Sequence, residues 1–115
     1  MNPRGSDGYG EAFLTALTGA WGRADIDDFL APVDALVAEG IADPTRLAVT
    51  GYSYGGYMTC WLTTQTDRFA AAVPGGCLSN LTSFFGTSDV GAGLGAFEIG
   101  GNPWNERARF EDLSP

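Results

Sequence analysis

Arg46-Leu47-Ala48-Val49-Thr50, Gly51-Tyr52-Ser53-Tyr54-Gly55-Gly56 and Tyr57-Met58-Thr59-Cys60-Trp61 follow one another without a break near the middle of the chain. The first piece is a short apolar run ending at a glycine, the pattern of a strand buried on both faces. In the last piece Met58, Trp61 and then Leu62 fall at i, i+3 and i+4, the spacing of a helix face. Gly-x-Ser-x-Gly lies between them, in the strand–turn–helix context of a nucleophile elbow. A serine hydroxyl is a weak nucleophile and has to be presented clear of its neighbours. A very sharp turn does this by holding the serine in a sparsely populated backbone region, at a cost of about 1–3 kcal/mol.

On this reading Ser53 is the candidate nucleophile. Gly51 and Gly55 are glycines because a Cβ at either place would strike the opposed strand and helix. The backbone N–H of Tyr54, at the positive end of the following helix, is the expected first donor to an oxyanion. A phosphate-cradling loop is the poorer alternative, since that motif needs a lysine and the chain has none.

Working outward, Phe69-Ala70-Ala71-Ala72-Val73 is a second apolar run of strand length, closed by Pro74-Gly75-Gly76. Its distance from Leu47–Thr50 suits a parallel pair joined by a crossover helix running from Tyr54 to about Gln65. Before the elbow, Ile26, Phe29, Leu30, Val33, Leu36 and Val37 form one apolar helical stripe, which predicts a helix packed on the sheet. Asp25, Asp27 and Asp28 crowd its start, where capping and the helix dipole account for them better than acid–base chemistry does. Pro32 should kink its first turns, and Gly40 should end it. Glu11 to Leu17 is a short helix ending at Gly19, and Ile41–Thr45 is a turn. Asn80 to Phe85 reads as a helical turn, Gly91-Ala92-Gly93-Leu94-Gly95 as a lid or surface loop, and Trp104 to Phe110 as a turn and short helix.

The 115 residues are 44% hydrophobic and 17% charged, globular values, with a net charge of −8. Such acidity, with six scattered arginines, excludes nucleic acid and anionic membrane as partners, because phosphate contacts need clustered cations. No N-terminal run resembles a signal peptide, and no stretch approaches the ~18 apolar residues of a membrane span. Cys60 and Cys77 have neither metal-ligand spacing nor the density of a disulfide scaffold. They read as two buried free thiols in a reduced, cytoplasmic compartment, with no metal and no cofactor.

Gly51-Tyr52-Ser53-Tyr54-Gly55-Gly56-Tyr57-Met58-Thr59 closely resembles the nucleophile segment of the prolyl oligopeptidase family of serine peptidases, in its acylaminoacyl-peptidase and dipeptidyl-peptidase-like branch. The resemblance runs nearly end to end. It includes Asn2-Pro3-Arg4-Gly5-Ser6 with Gly8-Tyr9-Gly10, Trp21-Gly22 followed by Asp25 and Asp28, and Ser79-Asn80-Leu81. Beyond these it takes in Gly86-Thr87-Ser88-Asp89, Pro103-Trp104 and Ser114-Pro115.

The resemblance implies an α/β-hydrolase fold, here a central slice of its parallel sheet with flanking helices. It implies peptide-bond hydrolysis through an acyl-enzyme, a peptide substrate, and a pocket wall containing Leu81, Phe84 and Phe85. It also implies that the triad's aspartate and histidine lie beyond Pro115, and the upstream strands and Gly-rich oxyanion loop before Met1. Residues 1–115 are then a fragment whose partner is the remainder of its own catalytic domain. The chain holds no histidine, and aspartates such as Asp89 are too weakly basic to replace one at neutral pH. Two alternatives stay open: an esterase or amide hydrolase on the same fold, and a non-catalytic, partner-binding remnant.

Overall fold

A computed structural model describes residues 1–115. In chain order the elements are α1 (Glu11–Leu14), a 3₁₀ turn (Thr15–Leu17), α2 (Ile26–Ala38), β1 (Ala48–Tyr52), α3 (Tyr54–Gln65), β2 (Ala71–Gly75), α4 (Leu81–Thr87), α5 (Gly91–Ile99) and α6 (Arg107–Asp112). They fall into two compact units. One holds residues 26–79, and the other holds residues 1–25 with 80–114.

The unit of residues 26–79 is a strand–helix–strand motif preceded by α2. β1 and β2 are parallel, with Ala48 opposite Ala71 and Tyr52 opposite Gly75. The ladder runs on at both ends, where Ala70 N–H donates to Leu47 O at 2.8 Å and Ser53 N–H donates to Gly75 O at 3.0 Å. β2 therefore extends through Pro74 to Gly75, two residues further than the apolar run suggests. α3 packs against both strands. The expected face is buried: Met58, Trp61 and Leu62 are joined by Tyr57, which is fully enclosed.

Two expectations are corrected here. β1 is not buried on both faces; its residues alternate between exposed and half-buried, because α3 covers only one side of a two-stranded ribbon. The apolar stripe of α2 is not fully covered either: Ile26, Phe29, Leu30, Val33 and Val37 are half-buried. None of α2 is buried, Leu36 stays exposed, and the helix makes no extended contact with either strand. α2 is instead tethered through Asp34, whose carboxylate accepts from Arg68 at 2.5 Å. The helix continues through Pro32, and Gly40 follows its end with φ 71°. Asp43 Oδ1 accepts from the N–H and the hydroxyl of Thr45, making the expected turn ahead of β1.

The second unit is helical and is built on Leu17, Trp21, Leu81, Ile99, Phe110 and Leu113. Its N-terminal loop is tied down, with Gly5 N–H on Phe13 O at 2.9 Å, Asn2 on the Tyr9 hydroxyl at 2.7 Å, and the Tyr9 ring against Phe13. Ser114 Oγ accepts from Leu81 N–H and donates to Phe110 O, joining the start of α4 to α6. The Gly-rich stretch at 91–95 is a correction, because it opens the nine-residue helix α5. Gly91, Gly95 and Ile99, spaced at i, i+4 and i+8, are its buried face. The first glycine lies directly against the Phe84 carbonyl, and the second lies against the Phe84 and Phe85 rings. Glycine here sets a close helix–helix approach, and tertiary contact overrides its low helix propensity. Gly100, left-handed at φ 80°, ends α5, and Arg109 Nη1 donates to its carbonyl oxygen.

The tightest backbone approach in the strand–helix–strand unit is at Gly56, where a Cβ would collide with the Gly75 carbonyl, whereas a Cβ on Gly55 would meet nothing within 4 Å. Gly56→Ala should therefore destabilise the chain by about 1–3 kcal/mol through overpacking. Gly55→Ala should be neutral or stabilising by up to ~1 kcal/mol through helix propensity. Urea midpoints of the two variants check this.

Candidate active site

Ser53 is the one residue between the end of β1 and the start of α3, and it is the chain's only non-glycine residue with positive φ, at 57° with ψ −117°. The conformation is fixed from both sides. Its N–H is spent on Gly75 O at 3.0 Å, and its carbonyl accepts from Tyr57 N–H at 2.9 Å, the first rung of α3. A serine at a helix N-cap ordinarily sits in the β region and turns its oxygen back onto the first-turn N–H groups. Ser53 does neither: it makes no side-chain capping bond, and it is exposed. Its hydroxyl is thus presented to solvent at the carboxyl end of a parallel strand pair, where open α/β sheets bind their ligands.

Tyr54, Gly55 and Gly56 form the first turn of α3, whose N–H groups lie outside the helix's own ladder. Together they supply partial positive charge beside Ser53. No ionisable acid or base other than tyrosines and Cys60 occurs from Leu47 to Thr66. The Tyr54 ring lies 5.5 Å from that of Tyr57, which stacks on Trp61 at 6.0 Å, anchoring the first turn in the helix's buried face.

The glycines divide differently from the expectation. Gly51 is needed as argued, since a Cβ there would come within 2.5 Å of the Gly55 carbonyl oxygen. Gly55 is not, because the space beside it is open, and Gly56 takes that role against Gly75. The third glycine of the run was the signal, and a five-residue motif does not include it. Tyr52, before Ser53, lays its exposed ring along the Gly75–Gly76 backbone.

Leu81, Phe84 and Phe85 belong to α4 in the other unit. Leu81 is fully buried there, while Phe84 and Phe85 are half-buried. The Phe85 ring meets Trp104 and Phe110 edge-on, at 5.6 and 5.8 Å. No cluster of three or more His, Cys, Asp or Glu side chains is placed to hold a metal, and no helix is long and apolar enough to cross a membrane.

A parallel strand pair joined through a strained serine turn and one crossover helix is an arrangement of the α/β-hydrolase fold. The model of the prolyl oligopeptidase family matches residues 1–115, so the chain belongs to that family. It is 43% identical over 116 residues to the uncharacterized peptidase YuxL of Bacillus subtilis, an alignment covering all of this chain and 18% of that protein. Among solved structures, the acylaminoacyl peptidase of Pyrococcus horikoshii superposes with a TM-score of 0.90 at 37% identity, over 98% of this chain and 19% of that one. A puromycin-hydrolyzing peptidase of Mycobacterium tuberculosis superposes with a TM-score of 0.85 at 43% identity, over 99% and 18% respectively. The chain thus spans about a fifth of the length of these relatives.

Because φ 57° with ψ −117° is disfavoured for any residue with a Cβ, Ser53→Gly should raise stability by about 1 kcal/mol, while Ser53→Ala should leave it near the wild type. Parallel urea titrations of the three proteins test whether the strain is there.

Proposed function

We propose that Ser53 is the nucleophile of a serine peptidase, and that residues 1–115 form the nucleophile-bearing part of a larger catalytic domain. The observation that carries this reading is the N-terminal position of Ser53 on α3 with positive φ, an exposed side chain and no capping bond. Such strain persists at a helix start only where the surroundings over-determine it. Attack by the Ser53 oxygen on a peptide carbonyl gives a tetrahedral oxyanion, which the Tyr54 N–H stabilises. Collapse of that intermediate releases the amine and leaves an acyl-serine, which water then hydrolyses.

A base must take the serine proton and return it to the leaving amine. These residues include neither a histidine nor a lysine, so the base comes from elsewhere in the domain. Among the apolar residues of α4, the half-buried Phe84 and Phe85 have surface to offer a substrate side chain, whereas Leu81 is enclosed in the core. Peptides are the expected substrate class, as the names of the relatives suggest, and the cytoplasm is the expected compartment.

The test is made on a protein extended through the remainder of the catalytic domain. It should be labelled at Ser53 by a fluorophosphonate and should turn over aminoacyl-amide substrates faster than simple esters. Ser53→Ala should abolish labelling and lower kcat by about 10³-fold or more. The 115 residues alone should show no turnover. Faster ester than amide turnover would assign an esterase instead. Full activity in Ser53→Ala would overturn the nucleophile assignment.

A further inference from the structure

Cys60 lies on α3 and Cys77 just beyond β2, on either side of the closest backbone contact in their unit. At that contact Gly56 faces not only the Gly75 carbonyl but also the backbone of Cys77, whose Cα lies 3.2 Å from where a Gly56 Cβ would sit. Cys60 follows Gly56 by four residues, so it projects from the same face of α3, one turn along. Both cysteines are free and half-buried, and Cys60 is near enough to Cys77 to raise its pKa. Two thiols on separate elements that flank so close a backbone contact, with partial access to solvent, are candidates for a bridge. We propose that Cys60 and Cys77 form a reversible intramolecular disulfide, a modification site that ties α3 to the segment after β2.

The assignment of Ser53 plays no part in this argument. Burial, and then the neighbouring Cys60, raise the Cys77 thiol well above the ordinary cysteine range, which makes Cys77 the poorer first nucleophile. The oxidant is a low-molecular-weight disulfide of the glutathione type. The Cys60 thiolate attacks one of its sulfurs and expels a thiolate, leaving a mixed disulfide on Cys60. Cys77 then gives up its proton to the released thiolate and attacks the Cys60 sulfur, expelling the second thiol. One S–S bond forms within the protein and one is broken in the oxidant, two electrons pass between them, and two small thiols leave.

The reduced 115-residue chain is equilibrated in glutathione buffers of rising oxidised fraction, quenched with an alkylating agent, and read by intact mass and peptide mapping. The expected product is a monomer about 2 Da lighter, with the Cys60 and Cys77 peptides linked, both sulfurs protected from alkylation, and full reversal by dithiothreitol. Cys60→Ser and Cys77→Ser should each instead acquire a single glutathione on the remaining thiol. Should either variant fold poorly, the wild type in guanidinium serves as reference. The folded chain should form the bridge at a ratio of oxidised to reduced glutathione at least about tenfold lower than the unfolded chain. Independent glutathionylation of both thiols, or equal ratios for folded and unfolded chain, would overturn the proposal.

Discussion

Two strand ends and one helix start share a space too small for any side chain, and the rest of the strand–helix–strand unit follows from that restriction. Gly56 sits against the Gly75 carbonyl and Gly51 against Gly55, so α3 begins almost in contact with the ends of β1 and β2. The ladder does not stop where β1 does; its next rung is Ser53 N–H on Gly75 O. With its N–H committed to the sheet and its carbonyl to α3, Ser53 has no relaxed backbone conformation that satisfies both. The hydrogen bonds and the burial of Tyr57, Met58, Trp61 and Leu62 hold it there.

How much of this was legible in the sequence depends on whether the controlling contacts are local. The elbow was legible because glycine on either side of Ser53, an apolar run before it and a helical spacing after it all lie within one short stretch. The parallel partner was legible from a second apolar run at crossover distance, although its end was misplaced. Pro74 reads as a terminator, yet as part of a strand paired only with β1 it can leave its missing N–H on the open side. α5 was not legible. Its glycines look like a loop until the Phe84 carbonyl and the Phe85 ring are in place, and those contacts belong to α4. The stripe of α2 shows the converse: periodicity established that a helix forms, but not what lies against it.

The candidate site divides in the same way. Ser53 and Tyr54 are named by the motif, and the structure adds why the hydroxyl is not consumed as a cap. Gly56 and the Gly75 carbonyl escaped notice because their relation spans the crossover and has no fixed spacing. Leu81, Phe84 and Phe85 came from resemblance alone, and the burial of Leu81 shows how a residue recognised by type takes its position from the core around it.

The electrostatics of the elbow follow from what surrounds it in sequence. The chain carries a net charge of −8, which by itself would oppose an oxyanion. Yet the elbow stretch from Leu47 to Thr66 is uncharged, and so is the stretch from Phe69 to Ser88 that contains β2. Charges on exposed side chains beyond a Debye length of about 8–10 Å are largely screened at physiological salt. On the proposed role of Ser53, the N–H dipoles of the first turn of α3 would need no reorganisation as charge develops. The close packing of Gly51 and Gly56 fixes the direction of those backbone groups relative to the strand ends.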